Sequence, residues 1–228
     1  MTDTKIGILF DVDGVIADSE TVNVRATAKA FEAIIGISDV RAEDFEAGIG
    51  RGSEEYVKAG ARTHGQELSP DEVQSLVKAR QDNFLEILRH EPLPAYPGVL
   101  ELIHSALTHE IFAVAIATSG TREKSQAVLE SAKIPYQDMV YICGDDITRK
   151  KPDPEVFAVV CRRLNLSPNR CVALEDAPNG VEAAHAAGCK CIAITNTCTR
   201  GMLKAADLIV DSLSSVSLNT ILGLISPS

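Results

Sequence analysis

The sequence has no hydrophobic run of membrane-spanning length, no CxxC pair of cysteines and no internal repeat or low-complexity tract. A membrane-spanning helix needs about 20 consecutive apolar residues, so we expect no membrane segment. The first apolar run, Ile6–Phe10, lies very close to the start of the chain and already has the character of a strand. This placement predicts that the chain has no signal peptide.

The six cysteines also lack the spacing to one another and to histidine that zinc sites require. Cys189 and Cys191 are separated by one residue, but they flank a strand-like run, so we predict that they are buried thiols. Unpaired thiols are typical of a reducing compartment. The sequence therefore predicts a cytoplasmic protein.

Basic residues are few: 22 Lys and Arg face 32 Asp and Glu, and the formal net charge is −10. This balance argues against nucleic acid or an anionic membrane surface as a partner. A small anionic substrate remains compatible with it, because a bound cation and a few Lys or Arg side chains can reverse the sign locally. The 228 residues suit one domain with a sizeable insertion, and we expect a monomer or a weak dimer.

Short apolar runs typical of strands recur along the chain, and helical patterns separate most of them. The predicted strands are Ile6–Phe10, Phe112–Thr118, Met139–Cys143, Cys171–Leu174, Cys189–Ile194 and Leu208–Val210. The predicted helices between them are Val99–Leu107, Glu123–Ser131, Pro154–Leu164 and Asn179–Ala187. This alternation predicts an α/β fold whose core is a Rossmann-like parallel sheet covered by helices.

The stretch from 19 to 94 breaks the alternation, because its patterns are helical and it has few strand signals. Helix-like periodicity covers Val22–Ile35, Glu54–Ala61 and Asp71–Leu88, and Ser69-Pro70 is a good helix start. We therefore predict that residues 19–94 form an inserted α-helical domain. Residues 1–18 and 95–228 would form the α/β core.

Two carboxylates, Asp11 and Asp13, follow the first predicted strand directly, and Gly14 then allows a sharp turn. Residues two apart on a strand point to the same side, so the two acids would be crowded together. Crowded carboxylates repel each other, and a fold rarely keeps them for stability. Because open α/β sheets bind ligands at the carboxyl ends of their strands, this pair marks a candidate site.

Three further strand ends or following loops carry polar residues. Thr118-Ser119-Gly120 offers hydroxyl groups and a close backbone approach for an oxyanion, and Glu175-Asp176 supplies two more acids. Lys151 lies just before a helix start and is the candidate cation, with Lys150 as a less favoured alternative. Together these residues suit phosphoryl transfer through an aspartyl phosphate, with a second carboxylate for proton transfer and acids for Mg²⁺.

Four motifs in order resemble those of the haloacid dehalogenase superfamily. They are Asp11-Val12-Asp13-Gly14-Val15-Ile16, Thr118, Lys151-Pro152-Asp153-Pro154 and Glu175-Asp176-Ala177-Pro178-Asn179-Gly180. The inserted helices resemble the cap domain of the phosphoglycolate phosphatase and β-phosphoglucomutase branch, so the resemblance covers essentially the whole chain. An ordered quartet of motifs is far more specific than one motif alone.

This resemblance implies that Asp11 is the nucleophile, Asp13 the general acid and base, and Thr118 and Lys151 the groups that bind the transferring phosphoryl group. It also implies that Mg²⁺ is held by Asp11, the Asp13 backbone carbonyl, Asp176 and Glu175. The loop residues Gly14, Ser119 and Gly120 would help to bind the substrate. Dehalogenation is disfavoured, because the dehalogenases lack an aspartate at the position of Asp13.

The cap residues Asn23, Arg51, Ser53 and Arg80 are expected to contact the substrate. β-Phosphoglucomutases usually carry histidine where this chain has Asn23, arginine where it has Ser53, and lysine where it has Arg80. The predicted function is therefore a Mg²⁺-dependent phosphatase acting on a small phosphorylated metabolite, a sugar or polyol phosphate. A β-phosphoglucomutase-like mutase is the first alternative, and a non-catalytic sugar-phosphate-binding regulator is a less favoured one.

Overall fold

A computed structural model of the protein describes residues 5–48 and 52–225, so the predicted cap residue Arg51 lies outside the described residues. The strands are β1 Ile6–Phe10, β2 Phe112–Ala117, β3 Val140–Ile142, β4 Cys171–Glu175, β5 Lys190–Ile194 and β6 Leu208–Val210. The α-helices are α1 Ser19–Ile35, α2 Ser53–Thr63, α3 Pro70–His90, α4 Val99–Leu107, α5 Arg122–Ser131, α6 Glu155–Leu164, α7 Pro178–Ala187 and α8 Leu218–Ile225. The chain divides into two compact units, Met1–Asp18 with Pro94–Ser228 and Ser19–Leu93.

The first unit is built on a six-stranded sheet in the order β3-β2-β1-β4-β5-β6, in which all neighbouring strands are parallel. Strands and helices alternate along this part of the chain. The predicted Rossmann-like parallel sheet core is confirmed. The short terminal helix α8 was not predicted; its sequence, LNTILGLI, carries no acidic residue in its first turn and no basic residue in its last, so the terminal charges that commonly mark a helix are missing.

Strand β1 lies at the centre of the sheet, between β2 and β4. All five of its residues are buried, as expected for a parallel strand covered on both faces. Phe10, its last residue, is in register with Ile116 of β2 and Leu174 of β4. The residues that follow these three strands therefore come together at one edge of the sheet, where the order of the strands reverses. Parallel sheets bind their ligands at such a point.

The second unit contains helices and no strand among its described residues. The Ser69 side chain and the Glu72 side chain form a reciprocal capping box at the start of α3, which satisfies two backbone groups that the helix leaves free. The apolar core of this unit includes Phe45, which comes from a 3-10 helix at Ala42–Gly48, and its ring stacks on Tyr56 at 4.5 Å. Among the helices that the structure describes, none has the length and apolar character needed to cross a bilayer.

Candidate active site

A buried ammonium group joins two carboxylates at the centre of the sheet edge. Lys151 Nζ lies 2.5 Å from Asp11 Oδ1 and 2.5 Å from Glu175 Oε1, and it also donates a hydrogen bond to the Ala117 carbonyl at 3.2 Å. The side chains of Lys151, Asp11 and Glu175 are 6%, 9% and 2% exposed. Lys150, the alternative cation, is exposed. Lys151 is therefore the lysine that the fold brings to the acids.

Burial and mutual repulsion make these acids easy to protonate. Burial raises the pKa of Glu175 to about 7, with Lys151 opposing the shift and Asp11 adding to it. Burial likewise raises the pKa of Asp11, against the effect of Lys151 and with a contribution from Asp13. Burial would lower the pKa of Lys151, but Asp11 and Glu175 reverse this and raise it above its ordinary range. The lysine therefore stays charged, and an additional cation would stabilise the ionised form of the two acids.

Asp176 is held by the loop that follows β5. Thr197 Oγ1 donates a hydrogen bond to Asp176 Oδ2 at 2.5 Å, and Asn196 Nδ2 donates to the Gly14 carbonyl at 2.8 Å. Gly14 has a φ of 75°, and a side chain there would collide with the Asp176 carboxylate. Asn196 and Thr197 were not predicted as site residues. The signal that could have found them is the polar run Thr195-Asn196-Thr197 that directly follows β5.

The acids form a compact oxygen cluster. One carboxylate oxygen each from Asp11, Glu175 and Asp176 lies within 4.8 Å of the others, and all three residues are buried. Burial raises the pKa of Asp176 well above its ordinary value, with the charges of Glu175 and Asp11 contributing. Crowded, buried carboxylate oxygens are the ligands that a hard divalent cation such as Mg²⁺ prefers. The residues present therefore fit a divalent metal ion.

Asp13, Thr118 and Gly120 lie close together beside this cluster. A Cβ atom built on Gly120 would be 3.4 Å from both Asp13 Oδ2 and Thr118 Oγ1. The Gly120 amide donates a hydrogen bond to Thr118 Oγ1 at 3.0 Å, and the Lys151 amide donates one to Ser119 Oγ at 3.3 Å. A side chain larger than that of glycine at position 120 would therefore contact both oxygens.

One cation at Asp13 was not predicted from the sequence. Lys124 Nζ, from the first turn of α5, lies 2.8 Å from Asp13 Oδ1. With Lys124 and Lys151, two ammonium groups face the four carboxylates of the site, which leaves a formal charge of −2 when all are ionised. A divalent cation would neutralise this charge.

The helical unit contains a polar cluster of its own. Arg80 Nη2 donates a hydrogen bond to Asn23 Oδ1 at 2.9 Å, and its guanidinium carbon lies 4.5 Å from the centre of the Tyr56 ring. Asn23 Nδ2 and the Tyr56 hydroxyl donate to the two oxygens of Glu20, at 3.1 and 2.7 Å. The structure thus joins the predicted residues Asn23 and Arg80.

Glu20 and Tyr56 were missed by the sequence analysis. Glu20 lies three residues before Asn23 on α1, so helical spacing could have placed both on one face. Ser53 is exposed at the first residue of α2, and within the described residues it makes no hydrogen bond to this cluster.

Comparisons with known proteins agree with this architecture. The chain matches the family model described as haloacid dehalogenase-like hydrolase over residues 8–194. It is 29% identical over 215 residues to validoxylamine A 7'-phosphate phosphatase from Streptomyces hygroscopicus subsp. limoneus, covering 91% of this chain and 94% of that protein. The crystal structure of a mutant CbbY from Rhodobacter sphaeroides in complex with xylulose-(1,5)bisphosphate has a TM-score of 0.81 at 28% identity, covering 93% of this chain and 96% of the other.

A plant relative is much longer than this chain. The protein SUPPRESSOR OF QUENCHING 1, chloroplastic, from Arabidopsis thaliana is 31% identical over 224 residues, which are 94% of this chain and 20% of that protein. The family model covers residues 8–194, which is most of the chain. The chain therefore belongs to the haloacid dehalogenase-like hydrolase family, the family that its four motifs resemble.

Proposed function

We propose that the protein is a Mg²⁺-dependent phosphatase that hydrolyses a sugar or polyol phosphate through an aspartyl-phosphate intermediate on Asp11. The observation that carries this proposal is the buried Asp11 carboxylate at the carboxyl end of β1, paired with Lys151 and crowded by Glu175 and Asp176. A carboxylate is an effective nucleophile toward phosphorus when its charge is balanced locally. Lys151 supplies that balance and would also attract the phosphoryl oxygens.

Asp13 is proposed as the group that moves protons. Its Oδ2 faces the Gly120 and Thr118 side of the site, and its charge is close enough to raise the pKa of Asp11. Asp13 would give a proton to the leaving oxygen of the substrate and later accept one from the attacking water. Thr118, Ser119 and the amide groups of their loop would hold the equatorial oxygens of the phosphoryl group during both steps.

Asp11, Glu175, Asp176 and the Asp13 backbone carbonyl are the proposed metal-binding groups. Bound Mg²⁺ would reduce the repulsion between the anionic nucleophile and the anionic phosphate. The protein's own part is to hold the ligands: Thr197 orients Asp176, and Lys151 orients Glu175. Gly14 allows the chain to pass close to Asp176, which a larger residue would push aside.

The proposed substrate class is supported by the relatives and by the polar groups of the helical unit. One relative is named validoxylamine A 7'-phosphate phosphatase, and a CbbY structure is in complex with xylulose-(1,5)bisphosphate, a sugar bisphosphate. Glu20, Asn23 and Arg80 offer a carboxylate, an amide and a guanidinium within one hydrogen-bonded cluster. Such groups suit the hydroxyls of a sugar or polyol. Asn23 and Arg80, with Ser53 and Arg51, are therefore proposed as substrate-binding residues.

A panel of phosphorylated metabolites tests this function directly. Sugar phosphates, polyol phosphates and phosphoglycolate are incubated with the wild-type enzyme with Mg²⁺ or with EDTA, and phosphate release is measured. Asp11→Asn should lower the rate by more than about a thousandfold, because the nucleophile is lost. Asp211→Asn, which changes an exposed carboxylate of the same unit, should keep the wild-type rate and serves as the matched control.

Two results would contradict the proposal. The first is the absence of Mg²⁺-dependent phosphate release above the Asp11→Asn background for every compound. The second is stoichiometric conversion of β-glucose 1-phosphate to glucose 6-phosphate without phosphate release, which would establish the mutase alternative. A covalent phosphoryl adduct on wild-type protein, seen by intact mass after an acid quench and absent from Asp11→Asn, is the expected direct sign of the intermediate.

A cytoplasmic location and a monomeric or weakly dimeric state are part of the same proposal. All six cysteines are free thiols and five of them are buried, which suits a reducing compartment. Light scattering across a range of protein concentrations measures the oligomeric state, and a stable larger assembly would contradict that part.

A further inference from the structure

Lys124 is a charged residue at the site for which the proposed function so far has no role. It lies in the first turn of α5, directly after the Thr118–Thr121 loop, and Thr121 caps this helix. Lys124 Nζ lies 2.8 Å from Asp13 Oδ1, and the Lys124 and Asp13 side chains are 15% and 33% exposed. The lysine therefore reaches Asp13 from the helix that follows β2.

The backbone around Asp13 is held in place by a tight turn. Gly14 N donates a hydrogen bond to the Ala17 carbonyl at 3.2 Å, and Ile16 N donates one to the Val12 carbonyl at 2.9 Å. Asp13 also forms an isolated bridge with Ala17. The Asp13 backbone is therefore fixed, and the contacts of its carboxylate influence where the two oxygens point.

The two oxygens of Asp13 have different surroundings. Oδ1 faces the Lys124 ammonium, and Oδ2 lies on the side of Gly120, where a built Cβ would be 3.4 Å away. Thr118 Oγ1 is at the same distance from that built atom. Oδ2 is thus the oxygen on the side of the proposed phosphoryl pocket, and Oδ1 is the oxygen that the lysine holds.

We propose that Lys124 is a positioning residue: its ion pair with Oδ1 of Asp13 orients Oδ2 toward the substrate. Oδ2 then gives a proton to the leaving oxygen and later accepts one from the attacking water. This inference rests on the proposed function. A partly exposed ion pair contributes little to fold stability, so the pair between α5 and the turn after β1 is better explained by the orientation of Asp13. Proton transfer needs the donor oxygen within hydrogen-bond reach of its target, and a freely rotating carboxylate meets that condition less often.

Leaving groups of different acidity separate this role from a purely structural one. A polyol alkoxide needs a proton as it leaves, whereas p-nitrophenolate is stable without one. We expect Lys124→Met, which keeps the helix and the length of the stem, to lower kcat/KM for glucitol 6-phosphate by about tenfold, part of the usual general-acid contribution. The expected loss with p-nitrophenyl phosphate is about threefold or less, and KM should change little.

Two variants complete the comparison. Lys124→Arg keeps a cation at Asp13 and should restore most of the selectivity between the two compounds. Lys190→Met removes another Lys–Asp pair with the same 2.8 Å distance, to Asp207, at the opposite end of the sheet. It should leave both reactions at the wild-type rate. Asp13→Asn shows the largest selective effect expected: its loss of kcat/KM with glucitol 6-phosphate should far exceed its loss with p-nitrophenyl phosphate.

The outcomes distinguish this inference from the proposed function. Equal losses for both compounds in Lys124→Met, or a rise in KM alone, would mean that Lys124 binds the phosphate or supports the fold, and would overturn the inference. A selective loss in Asp13→Asn with none in Lys124→Met would overturn it as well, because Asp13 would then act without the lysine. Wild-type enzyme that releases phosphate from no compound of the metabolite panel and not from p-nitrophenyl phosphate would overturn the proposed function and this inference with it.

Discussion

Lys151→Met removes the ammonium group that lies between two buried carboxylates, and its effect on stability is worked out from the geometry. At 2.5 Å, each ion pair corresponds to an attraction of roughly 7 kcal/mol at an effective dielectric constant of about 20. Most of this gain is offset by the cost of burying the three charges. Removing one member of a buried pair nevertheless lowers the free energy of unfolding by about 3–5 kcal/mol, because the remaining charges keep that cost.

The loss should depend on pH in a defined direction. Without the ammonium group, the pKa values of Asp11 and Glu175 rise further, so the folded variant binds protons that the unfolded chain releases. Stability then falls as pH rises, and the difference from wild type is larger at pH 8 than at pH 5. The double variant Lys151→Met/Glu175→Gln, which removes one of the stranded charges, should recover about 1–3 kcal/mol at pH 8.

Urea unfolding followed by far-UV circular dichroism measures these differences, with EDTA present so that no metal masks them. The chain has no Trp, so tryptophan fluorescence is not an option. Lys190→Met is the matched control: its side chain is 47% exposed and its partner Asp207 is 19% exposed, so its loss should be at most about 1 kcal/mol. Equal losses for Lys151→Met and Lys190→Met at pH 8 would refute the reasoning.

The metal-free wild-type protein should lose about 3 kcal/mol of unfolding free energy as pH rises from 4.5 to about 7, because burial lets the folded Glu175 keep its proton longer than the unfolded chain does. Thermal unfolding should therefore show more stabilisation by Mg²⁺ at pH 8 than at pH 5, and an equal effect at both would contradict it. Gly14→Ala should weaken Mg²⁺ binding and activity, because the added methyl group would displace Asp176. Gly36→Ala is the control: Gly36 has a similar φ of 71° but no atom within 4 Å of a built Cβ, so the substitution carries only about 1–2 kcal/mol of backbone strain. Equal activity of the two variants would argue against the collision at Gly14. Phe45→Ala should lower the stability of the helical unit by about 3–5 kcal/mol, measured as an earlier urea transition, and an unchanged transition would count against its place in the core.

The sheet could be predicted because its signals are local. Buried parallel strands are near-continuous apolar runs, and Ile6–Phe10 shows this along five residues of sequence. The C-terminal end of α7 could also be predicted, because a glycine after a helical pattern commonly ends the helix in the left-handed conformation. Gly188 has this conformation, with a φ of 89°. The 3-10 helix Ala42–Gly48 was not predicted, because its formation depends on the burial of Phe45 in the helical unit.

The sequence by itself determined where the acids of the candidate site lie. The acids Asp11 and Asp13 follow one strand, and Glu175 ends another, so their arrival at one edge follows from strand direction alone. Tertiary structure decided what each of them touches. Lys151 and Asp11 are 140 residues apart in the chain. Lys124, which contacts Asp13, lies outside the sequence motifs. The same is true of Glu20 and Tyr56, which form the polar cluster with Asn23. These contacts depend on where packed helices place their long side chains. No local sequence pattern determines that placement.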